Sequence, residues 1–287
     1  MRYLAIALVC LAASLSFAQQ NTYCGGFLAG NEVDGGGYSG QMQFNQIQQW
    51  SGWASCDNGA PPNSCSGGTG GGTCWIEPFQ RFPSLTGSST EIYDYSSSDN
   101  ALFIKKLAPS TDLTLFNGAT TVTFYYSMKV DPSVVQNGNA IEFDVFQFHS
   151  DTNGSIYRLM MGTQCDITSN NEQWDFWDQA ANPPSWFHSP YPCSNILDGN
   201  WHHVILYATM NHSTGQESYT FVSLTVDGTT TELNPPNGYT FDAPTTVPAA
   251  NLGVQFQIDV TAAGNGYHEW FDDVRLCLLP NSQCPAQ

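Results

Sequence analysis

Ile141-Glu-Phe-Asp-Val-Phe-Gln-Phe-His149 alternates apolar and polar side chains over its first five residues. On an extended chain successive side chains point to opposite faces. Ile141, Phe143 and Val145 therefore share one face, and Glu142 and Asp144 share the other. Leu252-Gly-Val-Gln-Phe-Gln-Ile-Asp-Val260 repeats the pattern. There Val254, Phe256, Ile258 and Val260 face one way, and Gln255, Gln257 and Asp259 the other. Outward from these two stretches, further short segments rich in β-branched and aromatic residues are separated by Gly, Pro, Asn and Asp. They are Thr120–Val130, Ala140–His149, Ile156–Gln164, Gln173–Asp178, Trp201–Met210, Tyr219–Val226, Leu252–Val260 and His268–Leu278. Asp227-Gly228 is a turn signal directly after one of them. Helical periodicity is nearly absent. The pattern predicts an all-β sandwich of two antiparallel sheets.

The chain has 287 residues, with 7 Lys+Arg against 25 Asp+Glu and a formal charge of −18. Binding nucleic acid requires a basic patch, which seven residues do not make. Anionic membranes and polyuronate chains are disfavoured for the same reason. Residues 1–18 read as a signal peptide: Arg2, an apolar run from Leu4 to Leu15, and Ser16-Phe17-Ala18 before a cut. That predicts secretion, with residues 19–287 as one domain. No later apolar run reaches spanning length. Removing the signal takes away Arg2 and Cys10 and leaves eight cysteines, an even number that reads as disulfides in a secreted chain. Expected pairings are Cys165–Cys193, and pairs within Cys56, Cys65 and Cys74 that would tie a Gly-rich loop near 56–74.

Two pieces carry a family resemblance. Asp198-Gly-Asn-Trp-His-His-Val-Ile-Leu-Tyr207, followed by Val222-Ser-Leu-Thr-Val-Asp-Gly228, resembles paired strands of laminin-G-like domains. Trp270-Phe-Asp-Asp-Val-Arg-Leu276 resembles the last strand of the same superfamily, which includes family 16 glycoside hydrolases. The resemblance covers roughly Ala140 to Leu278. It implies a concanavalin A-like jelly roll, a fold that hosts lectins, hydrolases and lyases alike.

The segment from Ile141 to His149 resembles the family 16 signature Glu-x-Asp-x-(x)-Glu. The resemblance implies Glu142 as nucleophile and Asp144 as its assistant. With one bulge residue, Gln147 falls where the acid/base Glu would stand, and Gln cannot donate a proton as a carboxylic acid does. Three readings stay open: ligand contact without catalysis, catalysis, and a plain sheet face. For catalysis the acid would come from another strand, with Glu172, Asp175, Asp178, Asp259 and Glu269 as candidates. In Trp174-Asp-Phe-Trp-Asp178 and Trp186-Phe-His188, Trp177 and Trp186 are candidate platforms for sugar rings, as opposed to core filler. Gln255 and Gln257 are candidate hydrogen-bond partners for sugar hydroxyls. Asp272 aligns with a residue that binds structural Ca²⁺ in family 16, so a metal role is implied for it; a salt bridge with Arg275 is the alternative. Gln147-Phe-His149 also resembles a strand of family 7 polysaccharide lyases. The scarcity of basic residues, and the lack of an Arg in Ser89-Thr-Glu-Ile-Tyr93, count against that reading. The expectation is a secreted protein that binds a neutral polysaccharide, β-glucan-like, in a concave cleft. A glycoside hydrolase acting through Glu142 is the alternative.

Overall fold

Each alternating segment becomes a strand. A computed structural model describes residues 42–50, 53–55, 74–94, 100–109, 120–134, 138–150, 156–167, 172–213, 216–242, 251–260 and 267–279. In chain order the strands are β1 (Met42–Phe44), β2 (Ala54–Ser55), β3 (Cys74–Gln80), β4 (Ser89–Asp94), β5 (Asn100–Pro109), β6 (Thr121–Val130), β7 (Gly138–Ser150) and β8 (Ile156–Asp166). They continue as β9 (Gln173–Asp178), β10 (Ser185–Pro192), β11 (His202–Ser213), β12 (Gln216–Val226), β13 (Thr229–Glu232), β14 (Tyr239–Asp242), β15 (Asn251–Val260) and β16 (Tyr267–Leu279). All eight expected strands are among them.

The strands form two antiparallel sheets. One runs β13-β12-β11-β6-β16-β4-β3, with β1 also on β16 and β14 also on β12. The other runs β10-β9-β8-β7-β15-β5-β2. The stretch before Ser89, which carries no family resemblance, thus supplies β1, β2 and β3 to both sheets.

The apolar faces meet between the sheets. Ile141, Phe143 and Val145 of β7 and Val254, Phe256 and Ile258 of β15 are all buried. Phe256 stacks on Phe271 of β16 at 3.9 Å between ring centroids, and Phe143 stacks on Tyr126 of β6 at 4.4 Å. Each fully buried Phe is worth roughly 1.5–3 kcal/mol of transfer free energy. The sandwich is therefore held by the faces that alternation assigned to the core.

Two local devices set its edges. Asp227 and Gly228 both take positive φ (49° and 79°) in a two-residue turn that pairs Val226 with Thr229. That backbone matches strand twist and requires residues tolerant of φ > 0. The Cys165–Cys193 disulfide, expected from the sequence, links β8 to the chain just after β10 with Cα atoms 5.8 Å apart. Closing a 28-residue separation restricts the unfolded chain by about 3–4 kcal/mol on the chain-entropy view. Cys277 is also disulfide-bonded. Residues 1–18, expected to be a signal peptide, and Cys56, Cys65 and the Gly-rich segment between residues 56 and 74 lie outside the described residues. Among the described residues, no helix is long and apolar enough to cross a membrane.

Candidate functional site

The outer face of the seven-stranded sheet is polar. Register places Gln257 opposite Glu142 and Gln255 opposite Asp144 on β15 and β7. Their side chains join: Gln257 Nε2 donates to Glu142 Oε1 at 2.9 Å and to Asp259 Oδ1 at 2.7 Å. Gln255 Nε2 donates to Asp144 Oδ2 at 2.7 Å and to Gln257 Oε1 at 3.1 Å. Glu142 and Asp259 also hydrogen-bond to each other, which requires a proton between the two carboxyls. Burial raises Asp259 to about 6, against the lowering effect of its bonds to Glu142 and Gln257. All five side chains are buried, with Asp144 and Gln255 at 0% exposure. The alternation was legible in the sequence. The depth of burial and the mutual satisfaction of the groups were not.

Among the described residues, the accessible part of this face lies at its β9–β10 edge. Trp174 and Phe176 point into the core, while Asp175 and Trp177 share the polar face. Trp177 pairs with Trp186, their rings 5.1 Å apart at 64°. Both are half-buried. Next along the same strands, Asp175 pairs with His188, whose Nδ1 lies 2.8 Å from Asp175 Oδ2. Gln164 Nε2 of β8 donates to the same oxygen at 3.0 Å. Asp166, also on β8, lies 4.0 Å from His188 Nδ1. Burial holds the Asp175 carboxyl above its ordinary range, although Gln164 and His188 pull it down. Gly162 makes the junction between the two halves possible. A Cβ there would sit 2.9 Å from Asp144 Oδ1, Met160 Cε and Trp177 Cβ.

Several expected residues do not join this cluster. The bulge that would bring Gln147 into step with Glu142 and Asp144 is not present: β7 pairs with β8 without a shift from Ala140 to Ser150. Gln147 therefore has the register parity of Ile141, Phe143 and Val145. The family 16 spacing had required that extra residue, and the unbroken ladder leaves no place for it. Glu269 lies in the core between the sheets, on β16. Asp178 caps a turn, accepting from the Ala180 and Ala181 backbone N–H groups. Glu172 precedes β9 and uses its carbonyl to accept from the Cys193 N–H.

Asp272 does not fit a Ca²⁺ site. Its Oδ2 accepts from Ser84 Oγ and the Leu85 and Thr86 N–H groups, and its Oδ1 from Gln48 Nε2, Thr86 Oγ1 and the Asp273 N–H. Six donors engage both oxygens, whereas Ca²⁺ requires six to eight oxygen ligands around it. The carboxylate instead ties the loop at 84–86 to β16. Arg275 pairs with the neighbouring Asp273 and not with Asp272.

A second polar cluster, which the sequence did not announce, lies on the other sheet. Tyr125, Ser127, His203, Ile205, Asp273 and Arg275 line a cavity of about 290 Å³. Ser127 Oγ and His203 Nδ1 are 2.7 Å apart. An acyl-transfer pair requires a third group that orients the base. Asp227, the nearby candidate, is engaged with the His203 backbone N–H and the His202 ring.

No protein-family model matches this chain, and no curated protein matches it. Solved structures do. A carbohydrate esterase from the Shiga toxin-encoding bacteriophage phi24B is 15% identical, covering 75% of this chain and 89% of its own, with a TM-score of 0.38. The binding domain of botulinum neurotoxin DC, in complex with rat synaptotagmin II, is 12% identical over 72% of this chain, with a TM-score of 0.39. The same domain in complex with SialylT has a TM-score of 0.36. This chain spans 43% of each toxin chain. Identities this low and TM-scores below 0.5 leave function to be argued from this chain's own residues.

Proposed function

We propose that this is a secreted carbohydrate-recognition protein of the concanavalin A-like kind, cut after Ala18, that binds a neutral polysaccharide such as a β-glucan without cleaving it. The observation that carries the reading is the Trp177–Trp186 pair. It is half-buried and lies on a carboxylate- and amide-rich face at the sheet's accessible edge. An aromatic ring offers a flat apolar platform to the C–H face of a sugar, and the neighbouring polar groups suit its hydroxyls. The chain's formal charge of −18 repels a polyanion, which favours a neutral chain.

Hydrolysis is the weaker reading for a geometric reason. Retaining chemistry needs two carboxyls about 5–5.5 Å apart across a space that admits the sugar. Glu142 is instead buried and hydrogen-bonded to Gln257 and Asp259.

The test pairs calorimetric titration with a reducing-end assay on neutral glucans and on a polyuronate. The expected result is binding to a neutral glucan with no release of ends, and affinity lower by about tenfold, or 1.4 kcal/mol, in Trp177→Ala and Trp186→Ala. Release that disappears in Glu142→Gln would establish the hydrolase instead. Unsaturated products from the polyuronate would establish a lyase.

A further inference from the structure

We propose that Asp166, Asp175 and His188 form a binding site for a divalent transition-metal cation of the zinc type. The three residues sit on adjacent strands β8, β9 and β10 and each directs one ligand atom into a common space, all within 4.8 Å of one another. His188 Nδ1 is 2.8 Å from Asp175 Oδ2 and 4.0 Å from Asp166 Oδ2. A cation that bonds imidazole nitrogen and carboxylate oxygen at about 2.0–2.2 Å bridges atoms up to about 4.2 Å apart. Both separations from His188 fall within that reach, and the two carboxylates offer oxygens within 4.8 Å of each other.

A second observation points the same way. Asp175 is 0% exposed, yet its Oδ1 has no hydrogen-bond partner among the described residues. Leaving a buried carboxylate oxygen without a partner is costly, and a cation held by the same carboxylate offsets that cost. Meanwhile Gln164 and His188 hold the other oxygen in place.

The scaffold is cross-linked at this point. Asp175 is in register with Gln164 on one side and His188 on the other. The Cys165–Cys193 disulfide brackets the group, with Cys165 immediately before Asp166 and Cys193 just past the end of β10. Neutral imidazole with two carboxylates supplies two negative charges and a mixed nitrogen–oxygen set. That set suits Zn²⁺ or Mn²⁺, whereas Ca²⁺ and Mg²⁺ prefer oxygen alone. His188 has 67% of its side chain exposed. An ion there therefore keeps positions open to water or to an exogenous ligand.

The full chain, stripped with EDTA and titrated with ZnCl₂ in the absence of any sugar, is expected to bind one equivalent. Co²⁺ is expected to give a visible d–d band at the same stoichiometry. His188→Ala should weaken Zn²⁺ at least tenfold and abolish the Co²⁺ band, with an unchanged circular dichroism spectrum because His188 is exposed. Asp166→Asn should weaken it as well, and His203→Ala, on the opposite sheet, should not. No saturable binding, or one-equivalent binding unaffected by both His188→Ala and Asp166→Asn, would overturn the site and leave a His188–Asp175 ion pair only. These readouts need no glycan, so they stand or fall separately from the carbohydrate reading.

Discussion

Gly162 is the residue on which the polar face turns. Its missing side chain lets the Asp144 carboxylate and the Trp177 Cβ approach over β8. The sequence shows a glycine in a strand, which hints at close approach. What approaches is decided by β7 and β9, which are its neighbours in space. Gly162→Ala is expected to lower the urea midpoint by an amount worth about 1–3 kcal/mol, the usual cost of overpacking. It should also displace Trp177 and weaken glycan binding, which tryptophan fluorescence during a titration would register. An alanine variant with wild-type stability and affinity would show that the contact is easily relieved. Glu142 and Asp144 were legible as one face because β-strand alternation has a period of two. Gln147 joined that face only through a bulge, which the unshifted β7–β8 ladder lacks, and bulges are set by the partner strands.

At the scale of an element, the Asp198–Tyr207 segment is a clamp. His202 Nδ1 lies 2.7 Å from Asp227 Oδ2 and its Nε2 2.8 Å from Asp198 Oδ1. Both ring nitrogens face carboxylates, so the ring donates twice only as an imidazolium. Burial pulls the His202 pKa down, but the bonds to Asp198 and Asp227 outweigh it and the net shift is upward. Asp198 is lowered to about 2, chiefly by the His202 hydrogen bond. The signs are opposite for the two partners. The His202 contribution is complete below its unfolded pKa of about 6.5 and is lost as pH rises through its higher folded value. The Asp198 contribution is complete above about 3.9 and is lost as pH falls towards 2. The clamp therefore holds best between roughly pH 4 and 6.5. In an NMR titration His202 should remain protonated above pH 6.5, and Asp227→Asn should bring its midpoint down. A midpoint at or below 6.5 in the wild type would rule out the clamp. Gly199 belongs to the same device. It takes φ +85°, and a Cβ there would meet Pro132 Cγ at 2.7 Å. The motif that resembled laminin-G strands thus acts here as a fastening between the start of β11 and the turn after β12, on the sheet opposite β9 and β10.

For the whole molecule, buried acids set the pH response. Burial holds Glu269 well above its ordinary range, with neither carboxylate oxygen hydrogen-bonded among the described residues, and raises Asp175 and Asp259 as well. A raised carboxyl favours the fold below its unfolded pKa of about 4, and that advantage is lost as pH rises through the folded value. Asp198, Asp227 and Asp272 are lowered and work in the opposite sense, their contribution complete above about 3.9 and lost as pH falls through the folded values. The formal charge of −18 adds self-repulsion as pH climbs. Calorimetry from pH 3 to 8 should place the highest Tm between about pH 4 and 6. Glu269→Leu should raise Tm at pH 7 and flatten the decline. A Tm that keeps rising from pH 6 to 8 would contradict both expectations. The sequence by itself determined the two-sheet β architecture and the alternating faces of residues 141–145 on β7, 174–177 on β9 and 254–260 on β15, and it made the Cys165–Cys193 bridge an expectation. Alternation and cysteine chemistry are local properties of the chain. Only the tertiary structure decided that Glu142, Asp144, Gln255 and Gln257 lie buried in one another's hydrogen bonds. It also decided that Asp272 is surrounded by donors and that Asp166, Asp175 and His188 converge. Those outcomes depend on which strands become neighbours and in what register, and long-range pairing sets both.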